Sequence, residues 1–138
     1  MRFKAACHAA AQHVGRRVAA FDGGLDGRSY HAATLAWRGA AWRDVGVSVL
    51  CNELYPLLAF VPPGEYGFIR LTFVEPGVVG EAFAALPPFV PLGPAALDAP
   101  LTPGVLRDLG RGELAQLRYW QQSGMADRVG DVAFNNWD

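Results

Sequence analysis

The sequence predicts an α+β domain: an antiparallel sheet of about four strands, with an N-terminal helix and two to three C-terminal helices packed on it. Helical spacing is confined to the two ends of the chain and two-residue alternation to the middle. No βαβ alternation of the kind that builds a parallel sheet occurs. The 138 residues are 51% hydrophobic with a formal net charge of −1, which predicts a single folded domain over 1–138 rather than a disordered chain.

Residues 2–21 read as one amphipathic helix. Phe3, Cys7, Ala10, Val14, Val18 and Phe21 recur at intervals of three and four and fall on one face. Gly15 weakens such a helix by roughly 1 kcal/mol against Ala and marks a close packing contact. Asp22-Gly23-Gly24-Leu25-Asp26-Gly27 then ends it with turn chemistry. Ala33, Leu35 and Trp37 alternate with Thr34, Ala36 and Arg38, and Gly39-Ala40-Ala41 permits a reversal. Trp42 to Leu50 alternates again, with Val45, Val47 and Val49 on one side, so the pair predicts a hairpin. Leu57 to Val61 is a short apolar strand between Pro56 and Pro62, and Pro56 favours its start or an edge. The strongest strand pattern is Gly67 to Glu75.

Val78 to Leu86 predicts a short helix. Residues 87–103 hold six of the ten prolines and predict an extended connector inside the domain, braced by Phe89 and Leu92. Thr102 and Pro103 open a further helix by capping and by proline at its first turn. Gly110 and Gly112 break it, and Glu113 to Gln121 continues as another. Asp127 caps a last helix that contains Val129, Val132, Ala133, Phe134 and Trp137.

Several function classes are disfavoured. The longest apolar stretch, Val45 to Val61, is broken by Asn52, Glu53 and Pro56 and falls short of the ~20 apolar residues of a membrane span. A sequence pI near 6.3 argues against nucleic acid as a bulk electrostatic partner. Eleven Arg against the single Lys4 reads as GC-rich codon usage, and it leaves lysine chemistry without a candidate. No signal-peptide pattern precedes the first helix, so Cys7 and Cys51 are expected as free, buried thiols in the cytoplasm. His8 and His13 lack the i, i+4 spacing of paired ligands, so neither a metal nor any other cofactor is expected. Nucleophile-elbow, P-loop and dinucleotide-binding patterns do not occur.

Three groups of residues remain as candidate sites. Residues 1–21 carry +4 and the rest of the chain −5, which makes Lys4, Arg16 and Arg17 a candidate basic face. His31, Cys51, Glu53 and Tyr55 are candidates for a pocket between sheet and helices, although Cys51 follows an apolar strand and reads better as a small buried hydrophobe. The third group is the aromatic tail.

That tail runs Tyr119-Trp120, then Arg128-Val129-Gly130-Asp131-Val132-Ala133-Phe134-Asn135-Asn136-Trp137-Asp138. It resembles the closing segment of uncharacterised small bacterial proteins that end in a Tyr-Trp, Val-Gly-Asp/Glu, Phe-Asn-x-Trp-Asp pattern. The resemblance covers residues 119–138; it implies a bacterial source and no activity or catalytic residue. So large an apolar content at a chain end either docks on the sheet, the expected arrangement, or faces a partner through Tyr119, Trp120, Phe134, Asn135 and Trp137. The reading that follows is a non-enzymatic protein-binding or adaptor module, with a protein partner or a homodimer. A ligand-binding or enzymatic pocket is the alternative, and nucleic-acid association through the basic helix is the third.

Overall fold

Helix α1 (Phe3–His13) opens the structure, a computed structural model that describes residues 2–23, 29–37, 46–67, 70–101 and 128–134. The helix buries Phe3, Ala6, Cys7, Ala10 and Ala11. It ends where Gly15 adopts a φ of +73°, a left-handed conformation that costs glycine little and other residues more. The chain then enters strand β1 (Arg16–Asp22). The helix predicted over 2–21 is therefore half helix and half strand. Relative to its neighbour, β1 carries one extra residue at Ala19, and this bulge puts Val18 and Phe21 on the same face. A bulged strand thus reproduces the three-residue spacing of a helix.

Strands β2 (Tyr30–Trp37) and β3 (Val47–Asn52) follow as an antiparallel pair, with Leu35 opposite Val47 and His31 opposite Cys51. The predicted reversal at Gly39-Ala40-Ala41 lies outside the described residues. At Gly46 a Cβ would sit 2.5 Å from the Leu35 carbonyl oxygen, so the close approach leading into β3 requires glycine there. Strand β4 (Leu57–Val61) pairs antiparallel with β3, over the span the sequence predicts.

The sheet order is β1-β2-β3-β4-β5, and β5 (Val90–Pro91) runs parallel to β4. Among the described residues the sheet is therefore five-stranded and mixed, not four-stranded and wholly antiparallel. Its fifth strand comes from the proline segment expected to be a plain connector. Val90 and Leu92 retain N–H groups and donate them to Pro56 and Leu58 at 2.8 and 2.9 Å, while Pro91 between them needs no partner at an edge. The same edge of β4 takes a third donor, Val74, onto Phe60 at 2.8 Å. This competition explains the fate of the predicted strand 67–75. Residues 70–76 run beside β4 without forming a ladder, because β5 occupies the rest of that edge.

Both faces of the sheet are covered. Ala33, Leu35, Val49, Cys51, Leu58 and Phe60 point toward α1 and helix α2 (Gly77–Ala84), where Phe3, Phe83 and Phe89 interlock at ring separations near 6.3 Å. Tyr30, Ala32, Leu50, Ala59 and Val61 point the other way, against Leu71, Phe73, Leu97 and Phe134. Leu97 comes from the short helix α3 (Pro94–Leu97), and Phe134 follows helix α4 (Val129–Ala133). The last helix is shorter than predicted, since Phe134 already departs from helical geometry at φ −131°, ψ 86°. The helices predicted between Thr102 and Gln121 and the cap at Asp127 lie outside the described residues.

Candidate functional site

Asn52, the last residue of β3, organises one end of the sheet. Its side-chain N–H2 donates to the Ala133 carbonyl at 2.6 Å, and its oxygen accepts from the Leu54 and Tyr55 backbone N–H groups at 2.9 and 3.0 Å. This is the local turn chemistry that asparagine supplies readily. The Ser29 hydroxyl donates to the same Ala133 carbonyl at 3.4 Å, and Glu53 N–H donates to the Ser29 carbonyl at 2.8 Å. The turn between β3 and β4 is thereby tied to β2 and α4.

What this turn presents outward is apolar. Leu54 is 79% and Tyr55 64% exposed, with exposed Glu53 beside them. Val90, 45% exposed, hangs from Pro56 at the same end, because β5 runs parallel to β4. Behind the turn, Arg128 fastens α4. Its guanidinium bonds Asp131 at 2.7 Å and Asp98 at 2.9 Å and lies 4.9 Å over the Phe73 ring. Arg128 backbone N–H also donates to the Asp131 carboxylate at 3.0 Å, which closes the start of α4.

The other candidates are dispersed. His31 and Cys51 face each other across β2 and β3, but Cys51 is packed in the core beneath α1, while Glu53 and Tyr55 stand on the exposed turn. Burial pushes the Cys51 thiol up to about 12, and it raises Cys7 too, with a further contribution from Cys51. Thiols so disposed stay protonated and make poor nucleophiles.

The basic face dissolves into separate environments, because Arg16 and Arg17 are successive strand residues pointing to opposite faces. Arg16 is buried, with its guanidinium 4.2 Å over the Trp37 ring and donating to the Leu35 carbonyl at 3.5 Å. Desolvation lowers its pKa from the ordinary arginine value. Arg17 is exposed on the far face, and Lys4 of α1 lies 5.3 Å over Phe21.

Of the tail candidates, Phe134 is 2% exposed and packs against Tyr30 and Phe73, so it is core and not a surface anchor. Tyr119, Trp120, Asn135 and Trp137 lie outside the described residues. An open groove of about 390 Å³ runs between α1 and α2, lined by His13, Val14, Val78, Glu81, Ala82 and Ala85 and by none of the pocket candidates. Among the described residues no cluster of three or more His, Cys, Asp or Glu is placed to hold a metal, and no helix is long and apolar enough to cross a membrane.

The sequence reading missed Leu54 and Asn52 as site residues. The legible signal was Asn52 three residues before Tyr55-Pro56, a turn pattern with two large apolar side chains inside it. Comparison with known protein families, with curated proteins and with solved structures finds no match to this chain.

Proposed function

We propose that this protein is a non-enzymatic protein-binding module that engages its partner through Leu54 and Tyr55 on the β3–β4 turn. The observation that carries this reading is a pair of large apolar side chains, 79% and 64% exposed, on a turn whose backbone Asn52 holds by two hydrogen bonds. A pre-ordered turn loses little conformational freedom on binding, so more of the contact energy appears as affinity. Burying a Leu-sized side chain contributes about 1.5–3 kcal/mol, and tyrosines are over-represented among the residues that dominate interfaces. Exposed Val90 extends the patch and Glu53 supplies a polar rim. The buried, protonated thiols weigh against cysteine chemistry, and they suit a reducing compartment such as the cytoplasm.

The test is affinity capture from the native cell by wild-type protein and by a Leu54→Ala/Tyr55→Ala variant, followed by titration of each purified candidate. Both side chains are exposed, so the variant keeps its circular dichroism and melting temperature. A partner that binds the wild type and loses at least tenfold in affinity for the variant supports the reading. Equal affinity of both proteins for every captured candidate overturns it.

A further inference from the structure

The groove between α1 and α2 has an apolar floor and a bias toward negative charge. Val14 and Ala82 pack into the core beneath it, while Val78, 54% exposed, and Ala85 line it from α2 together with Glu81. Its volume of about 390 Å³ lies in the range of small-molecule sites.

Three observations give the groove its electrostatic sign. The first is that α1 ends on it. His13 is the last residue of that helix and Val14 its cap, so the partial negative charge of a helix C-terminus falls at the groove. The second is the position of Glu81. It is the only charged residue of α2 and lies in the last turn, the end of a helix that disfavours an acid, with no basic residue beside it there.

The third is that the basic N-terminal region supplies Glu81 with no counter-ion. Arg2 caps the opposite end of α1, Lys4 lies over Phe21, Arg16 lies over Trp37, and Arg17 stands on the far face of the sheet. Among the described residues the Glu81 side chain makes no ion pair and no hydrogen bond.

A primary ammonium matches such a site, because it brings three N–H donors and a positive charge to a carboxylate. The neutral imidazole of His13 offers a second acceptor. A short aliphatic chain on the same nitrogen leaves water by covering Val14, Val78 and Ala85.

We infer that this groove binds a free primary aliphatic amine, with its ammonium on Glu81 and its chain along Val14, Val78 and Ala85. The site shares no residue with the β3–β4 turn, so either reading can fail without the other.

Titration of the full chain with hexylammonium chloride, followed by proton–nitrogen NMR correlation spectra, tests it. Saturable shifts are expected at His13, Val14, Glu81 and Ala85. Hexanol, of equal length but uncharged, and hexanoate, of opposite charge, are expected to bind at least about fivefold more weakly. Glu81→Gln is expected to weaken hexylammonium binding about fivefold. Its melting temperature should be unchanged or raised, since the substitution removes an acid from the unfavourable end of a helix. Ala85→Leu, which fills the groove and retains Glu81, is expected to abolish binding. Equal affinity for hexylammonium and hexanol, an unchanged affinity in Glu81→Gln, or shifts confined to other residues overturns the inference. So does tighter binding of Nα-acetyl-lysine methylamide than of hexylammonium, which would give the groove to the lysine of a protein instead.

Discussion

Cys51 and Asn52 are consecutive residues of one strand with opposite roles. Strand alternation turns the Cys51 thiol into the core beneath α1 and the Asn52 amide toward the β3–β4 turn and α4. The buried thiols carry a consequence for stability at high pH. Their folded pKa values lie above the ordinary thiol value of 9.0, that of Cys51 at about 12, so above pH 9 the unfolded chain releases protons that the folded chain retains. Stability is then fully present below pH 9 and falls as pH rises toward 12, by up to about 1.4 kcal/mol per pH unit for each thiol. Denaturant titrations between pH 8 and 11 should show this decline, and a Cys7→Ala/Cys51→Ala variant should show a shallower one. At neutral pH an aromatic disulfide reagent should react with neither thiol until the protein unfolds. Prompt reaction of either in the native state would contradict the packing described.

At the scale of elements, the shortest pieces depend most on side-chain fastening. Helix α4 has five residues, too few to persist by its own hydrogen bonds, and it is held by Arg128, Asn52 and Ser29. Arg128→Ala removes two ion pairs and the cover over Phe73. We expect a loss of about 1.5–3 kcal/mol in unfolding free energy, measured by urea titration, as for hydrogen bonds to charged groups. Arg128→Lys should recover only part of that loss, because an ammonium cannot span both carboxylates as a planar fork. A change below about 0.5 kcal/mol would place Arg128 among surface pairs that contribute little. Strand β1 shows the converse, an element whose identity the local pattern disguised. Val18 and Phe21, three apart, belong to a helix by count and to a bulged strand by hydrogen bonding.

At the scale of the molecule, the sheet is a central layer with a separate apolar cluster on each face. The α1 face is closed by α1 and α2, which flank strands β1 to β4 in the chain, and the other face by Leu71, Phe73, Leu97 and Phe134. Phe134 reaches Tyr30 across more than a hundred residues of sequence and fills the second cluster with Phe73. Phe134→Ala should cost about 3–5 kcal/mol, the range for truncating a buried aromatic, and lower the melting temperature accordingly. A loss under about 1 kcal/mol would mean that the second face does not depend on it.

The mixed α and β composition, the N-terminal helix, the alternation in β2 and β3, the bounds of β4 and the short helix near residue 80 all follow from local pattern, because neighbours within four residues decide them. The extended segment 70–76 is legible as extended but not as lying outside the ladder, and β5 is hidden among prolines. In both cases the deciding fact is which donor reaches the outer edge of β4. The same holds for the candidate site. Local sequence marks Asn52 to Pro56 as a turn, but only the tertiary structure ties that turn to Ala133, leaves Leu54 and Tyr55 in solvent and takes Phe134 into the core. Exposure and edge pairing are properties of what packs against a residue, and those neighbours lie tens of residues away in the chain.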